Sequence, residues 1–154
     1  MNEVNQVSTE DAIYIAGLFD GEGCINLCKS HWIRDRYRTP SYVLRARIRM
    51  TDRDVINWLY ITIGGRYYDA RNSISRKLKC PRSKPYYEWG VAGRNAIIFL
   101  KQIYPYLKVK RLQADIAFKF GDTIEYRYGK LPEKIVLQRE SFRSGMLLLN
   151  HRGI

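Results

Sequence analysis

Histidine occurs only twice and cysteine three times in 154 residues, and no apolar run is long enough to cross a bilayer. The cysteines, Cys24, Cys28 and Cys80, leave an odd thiol in any pairing and have no zinc-ligand spacing, which excludes a disulfide framework and a structural zinc site. Reduced thiols, with no signal-peptide or transit-peptide pattern, give an intracellular expectation: cytoplasm, nucleoid or organelle matrix, and no membrane partner. Internal repeats are absent too. Acids are scarce, 15 against 27 basic residues, for a net charge of +12. What remains is a chain with 45% hydrophobic content, enough for one good core, and a single domain over 1–154 is expected.

The charge is placed in blocks. From Lys29 to Arg49 there are seven bases and one acid, and from Arg66 to Lys84 again seven and one, so each block carries +6 and the rest of the chain sums to zero. Residues 1 to 22 hold five acids and no base. Two separated basic blocks suggest one extended surface for a polyanion. Nucleic acid is favoured over an acidic membrane, because no basic amphipathic helix accompanies them.

Periodicity supplies the elements. Gly23 to Lys29 alternates Ile25 and Leu27 against Cys24, Asn26 and Cys28, as a half-buried strand does. After a polar stretch from His31 to Pro40, Leu44, Ala46, Ile48 and Met50 alternate with Arg45, Arg47 and Arg49. Three arginines on one strand face repel one another unless phosphates or base edges lie opposite. Thr51, with Asp54 as its N3 residue, predicts a helix striped by Val55, Ile56, Leu59 and Ile63, broken by Gly64 and Gly65. A second hairpin is expected from Arg66 to Arg71 and from Tyr86 to Val91, around a basic loop; which set of its residues faces the core is open. Helices follow from about Arg94 to Tyr104, from about Lys108 to Phe120, and from Pro132 to about Leu149.

The first helix is the unusual one. Ser8 and Asp11 predict its start, every residue from Ala12 to Phe19 is apolar or glycine, and Gly21 predicts its stop. With no polar face it is buried on more than one side. One side meets this chain's own core; small residues at Ala12, Ala16 and Gly17 would let a partner helix approach the other, and a second copy of the chain is the simplest partner. Asp20 and Glu22 then fall at the carbonyl end, where the macrodipole disfavours each carboxylate by roughly 0.3 to 1 kcal/mol. A divalent cation such as Mg²⁺ would offset them, with Mn²⁺ or Ca²⁺ able to occupy the same oxygen site; the plain alternative is a pair of solvated helix-end acids.

The run Ile15-Ala16-Gly17-Leu18-Phe19-Asp20-Gly21-Glu22-Gly23 resembles the signature of the LAGLIDADG homing endonucleases in its Ala-Gly pair, both acids and closing glycine. The resemblance implies an α+β, αββαββα fold: a four-stranded antiparallel saddle on DNA, backed by helices, with two motif helices crossing at the centre. It makes Glu22 a metal ligand, Gly21 the donor of a backbone carbonyl, and Asp20 a residue beside the site at the helix crossing. Glu22 departs from the commoner aspartate. The run from Pro105 to Ala114 resembles the family's second recurrent segment and makes Lys110 the active-site lysine, against the plainer reading of a basic helix start. Asp52 stands where relatives often carry a polar residue ordering water near the metals; equally, it could support the start of the second helix.

For recognition, Asn26, Cys28, Arg45, Arg47 and Arg49 share an outward face, and Arg71, Arg76 and Lys77 are assigned to the second hairpin. With one motif per chain, the resemblance implies a homodimeric, Mg²⁺-dependent endonuclease that cuts both strands of a long pseudo-palindromic DNA site, as in intron homing. The rival readings are an RNA-binding intron maturase and a non-cleaving DNA-binding protein on the same fold.

Overall fold

The computed structural model describes residues 3–30, 40–71, 78–79, 81–82, 84–124 and 131–151. Helix α1 (Thr9–Glu22) starts where Ser8 Oγ accepts the Asp11 amide at 3.1 Å. It does not stop at Gly21. The chain turns extended only at Gly23, and a Cβ there would lie 2.4 Å from the Phe19 ring and 2.5 Å from the Phe19 carbonyl oxygen. Glycine is therefore required at the point where α1 passes straight into strand β1 (Gly23–Ser30) with the Phe19 ring folded beneath it.

In β2 (Ser41–Met50), Tyr42, Leu44, Ala46 and Ile48 are buried while Arg45 and Arg49 are exposed and Arg47 half-buried, as the alternation predicts. Helix α2 (Arg53–Ile63) is capped by Asp52, one residue later than expected from Thr51: the Asp52 carboxylate accepts the Val55 amide at 3.1 Å. Gly64 and Gly65, both at positive φ, end it. Strand β3 (Arg66–Asp69) is shorter than the sequence suggests, because Asp69 turns back to accept the Arg71 amide. In β4 (Tyr87–Ala92) the open question closes: Tyr87, Trp89 and Val91 face the core, which puts Glu88 and Gly90 outward. All pairings are antiparallel and the order is β1-β2-β4-β3, the expected four-stranded α+β arrangement.

Helix α3 (Arg94–Ile103) runs into a 3-10 turn at Tyr104–Tyr106 containing Pro105, and α4 (Arg111–Gly121) and α5 (Glu133–Asn150) complete the described helices. The core joins the sheet to α1 and α3 through edge-on aromatic pairs, Phe19 on Phe99 and Trp89 on Phe99, at 5.5 and 4.8 Å between centroids. Helix α5 covers the β1 edge. Asn150 Nδ2 donates to the Ile25 carbonyl at 3.0 Å, and Glu140 accepts from Lys29 Nζ and from the Tyr42 hydroxyl. Burial, then the Glu140 hydrogen bond, pushes the Tyr42 phenol up to about 12, while Lys29 and then Tyr42 hold the Glu140 carboxyl below its ordinary value. One residue before Glu140, the buried Arg139 ties α5 to the turn after α4, donating to Thr123 Oγ1 at 3.0 Å and to the Thr123 carbonyl at 2.6 Å.

Candidate functional site

The carbonyl end of α1 carries a dense set of polar contacts with a segment nearly ninety residues away. The Asp20 carboxylate accepts three successive amides, from Lys108 at 2.8 Å, Val109 at 3.1 Å and Lys110 at 3.0 Å. The Lys110 ammonium donates back to the Asp20 main-chain carbonyl at 2.6 Å. These contacts explain why α4 begins at Arg111 and not at Lys108: the preceding amides point at Asp20 and leave the helical path. They also answer the misfit in α1, since three N–H dipoles and one ammonium offset the carboxylate and the negative helix end.

Glu22 stands apart. It is exposed, and among the described residues no hydrogen bond or ion pair engages its carboxylate. The cap contacts at this end take the Phe19 carbonyl, through the Gly23 amide, and the Asp20 carbonyl, through Lys110. Gly21 keeps its carbonyl clear of them. The Glu22 carboxylate and the Gly21 carbonyl, neither engaged among the described residues, are oxygen donors of the kind that suit a hard cation which retains water or phosphate oxygens. Among the described residues no three acidic, histidine or cysteine side chains gather around one point.

The motif helix divides its small residues between two surroundings. Ala12 and Ala16 lie inside this chain's own core, at 4% and 0% exposure, and so are not on the outer face where the sequence reading placed them. Gly17 is on that face, with nothing within 4 Å of a Cβ built on it, and so is Gly21. Ile13 and Tyr14 flank it at 52% and 55% exposure, Tyr14 leaning edge-on against Trp58. Asp52 is engaged as the α2 cap, the second of the two roles considered for it.

The outward sheet face holds Asn26, Arg45, Arg47 and Arg49, and register adds two residues that sequence reasoning missed. Arg66 pairs with Gly90, which pairs with Arg47, so both arginines stand on one row across the sheet. Glu88 pairs with Arg49 and binds it: Arg49 Nε and Nη2 donate to Glu88 Oε2 at 3.0 and 2.8 Å, and Arg47 Nη1 lies 3.9 Å away. The arginines are therefore partly neutralised from within the chain. The period-2 pattern of Tyr87, Trp89 and Val91 was the available signal for Glu88. Cys28 shares a groove of about 300 Å³ with Asn26, Arg143 and Asn150 beside α5. Arg71 is held by Asp69, at 2.6 Å, and lies over the ring of the core-side Tyr87, so it leaves the row of Arg47 and Arg66. Arg76, Lys77 and Cys80 lie outside the described residues.

Comparison with solved structures decides the fold. The homing endonuclease I-CvuI bound to its target superposes with a TM-score of 0.75 at 17% identity, over 92% of this chain and 82% of that one. This chain has the LAGLIDADG homing-endonuclease fold. The archaeal intron-encoded homing endonuclease I-Vdi141I, complexed with DNA, gives 0.73 at 15% identity over 94% and 87%. The LAGLIDADG homing endonuclease I-GzeII, in complex with its DNA target, gives 0.61 at 13% over 86% of this chain and only 43% of its own length. No family model matches the sequence, and no curated protein matches it significantly. Among the described residues no helix is long and apolar enough to cross a membrane.

Proposed function

We propose that this single-domain chain is one half of a homodimeric, site-specific DNA endonuclease that breaks both strands of a long pseudo-palindromic target, the activity of intron homing. The observation that carries the reading is the end of α1: Glu22 projects free of any partner among the described residues, while the Lys110 ammonium is fixed on the carbonyl of Asp20, two residues back along the helix.

In this reading the exposed strip of Ile13, Gly17 and Gly21 receives the same helix of a second copy, which brings two Glu22 carboxylates and two Gly21 carbonyls to one place. Mg²⁺, when bound there, supplies a Lewis acid and an activated water. Glu22 and Gly21 would hold it from each chain. Lys110 keeps a positive charge where negative charge develops on the phosphate, and its attachment to Asp20 sets that charge before substrate arrives. The outward arginines of the sheet grip the phosphate backbone and read base edges in the major groove, which admits a two-stranded ribbon.

The test is incubation of the wild type and of Glu22→Gln with a randomised plasmid library and Mg²⁺. Wild-type protein linearises plasmids that share one sequence, and Glu22→Gln binds that sequence without cutting it. No cleavage by the wild type, or equal cleavage by Glu22→Gln, overturns the mechanism; specific binding to an intron RNA without DNA cutting favours the maturase reading.

A further inference from the structure

On the outward face of the sheet, among the described residues, four arginines stand with a single acid, Glu88. On a surface that binds a polyanion this carboxylate works against affinity, since it repels phosphates and occupies cations that would otherwise contact them. Its geometry points to a compensating role. Both Arg49 Nε and Arg49 Nη2 converge on the same oxygen, Glu88 Oε2, and the Arg49 guanidinium lies over the Tyr86 ring at 4.2 Å from its centroid. Arg47 approaches that oxygen at 3.9 Å, whereas Arg45 and Arg66 have no ion pair among the described residues.

An unrestrained arginine has a large rotamer entropy, which is lost when it docks on a base edge. Held by Glu88 on one side and Tyr86 on another, Arg49 loses that freedom before any ligand arrives and presents its remaining N–H edge in one orientation. We infer that Glu88 is a specificity-determining positioning residue: it orients Arg49, and more loosely Arg47, as readers of base edges, and it gives up general phosphate affinity to do so. Arg45 and Arg66, free of it, serve as phosphate grips. The inference rests on the reading of this face as a DNA surface, and it is independent of the metal and of cleavage.

Wild-type chain, Glu88→Gln and Glu88→Ala are each used to select from a random duplex pool in metal-free buffer, then titrated against a mixed-sequence duplex over a range of salt. The wild type selects a defined sequence. In Glu88→Ala the slope of log affinity against log salt steepens by about 0.9, mixed-sequence binding tightens about fivefold at low salt, and preference at one base pair per half-site falls about tenfold. Glu88→Gln, which keeps an acceptor for Arg49 but no charge, lies between. If the wild type selects a sequence and both variants select it equally well, or both weaken on every duplex alike, Glu88 has only a structural role. If the wild type selects nothing, the DNA reading falls and this inference with it.

Discussion

At the residue scale the central contrast is between two acids two positions apart. Asp20 is consumed by structure, accepting three amides while its carbonyl takes the Lys110 ammonium; Glu22 has no partner among the described residues. Helix physics marks both as misplaced at a helix C-terminus and only the family resemblance separates them by role; the contacts that separate them structurally are not legible, because the partners of Asp20 come from a loop about ninety residues on. Asp20→Ala is expected to cost about 1 to 2 kcal/mol of stability by urea unfolding, the range for losing a cap-like set of amide bonds. Lys110→Ala is expected to lower the cleavage rate on pre-bound DNA by about 10² to 10³ while leaving binding within a few fold. In the proposed mechanism Asp20 acts only through Lys110, so adding Asp20→Asn to Lys110→Ala is expected to slow cleavage no further; additive losses would separate the two residues.

At the element scale, most of the fold was legible. Period-2 patterning in β1 and β2, the apolar stripe of α2 and the glycine pair after it rest on local alternation and turn chemistry, and each was found within a residue or two. What was not legible depends on distant contacts: the late start of α4, fixed by Asp20; the passage of α1 through Gly21, fixed by Phe19 against Gly23; and the neutralisation of Arg49, fixed by strand register. Helix α5 makes the same point, since its docking on β1 runs through Glu140, Lys29 and Tyr42. Its pH dependence has a definite sign. The Glu140 carboxyl lies below its unfolded value, so its contribution is present above the ordinary carboxylate range and is lost as pH falls through the depressed value. The Tyr42 phenol, raised from 10.0 to about 12, favours the folded state below pH 10 and loses that contribution as pH rises towards 12. Thermal melts of wild type and Glu140→Gln should differ at neutral pH and converge in acid; a constant gap would contradict the assignment.

At the scale of the whole molecule, the described residues of one chain present half of what the proposed reaction needs: the Glu22 carboxylate, the fixed Lys110, the basic sheet face and the exposed strip of Ile13, Gly17 and Gly21. Gly17 offers the cleanest probe of that incompleteness, because space is open above it in the isolated chain. Gly17→Ala is expected to raise the stability of an isolated chain by about 0.5 to 1 kcal/mol through helix propensity. Gly17→Gln is expected to fold normally and remain monomeric by sedimentation, with its cleavage lost. The most direct test of the homodimeric endonuclease is to sequence both ends of the DNA that the wild type cuts with Mg²⁺. Breaks in both strands with short 3′ overhangs are expected, centred on two half-sites related by two-fold symmetry. A break in one strand only, or a cut beside an asymmetric site recognised by a single chain, would contradict the homodimeric endonuclease.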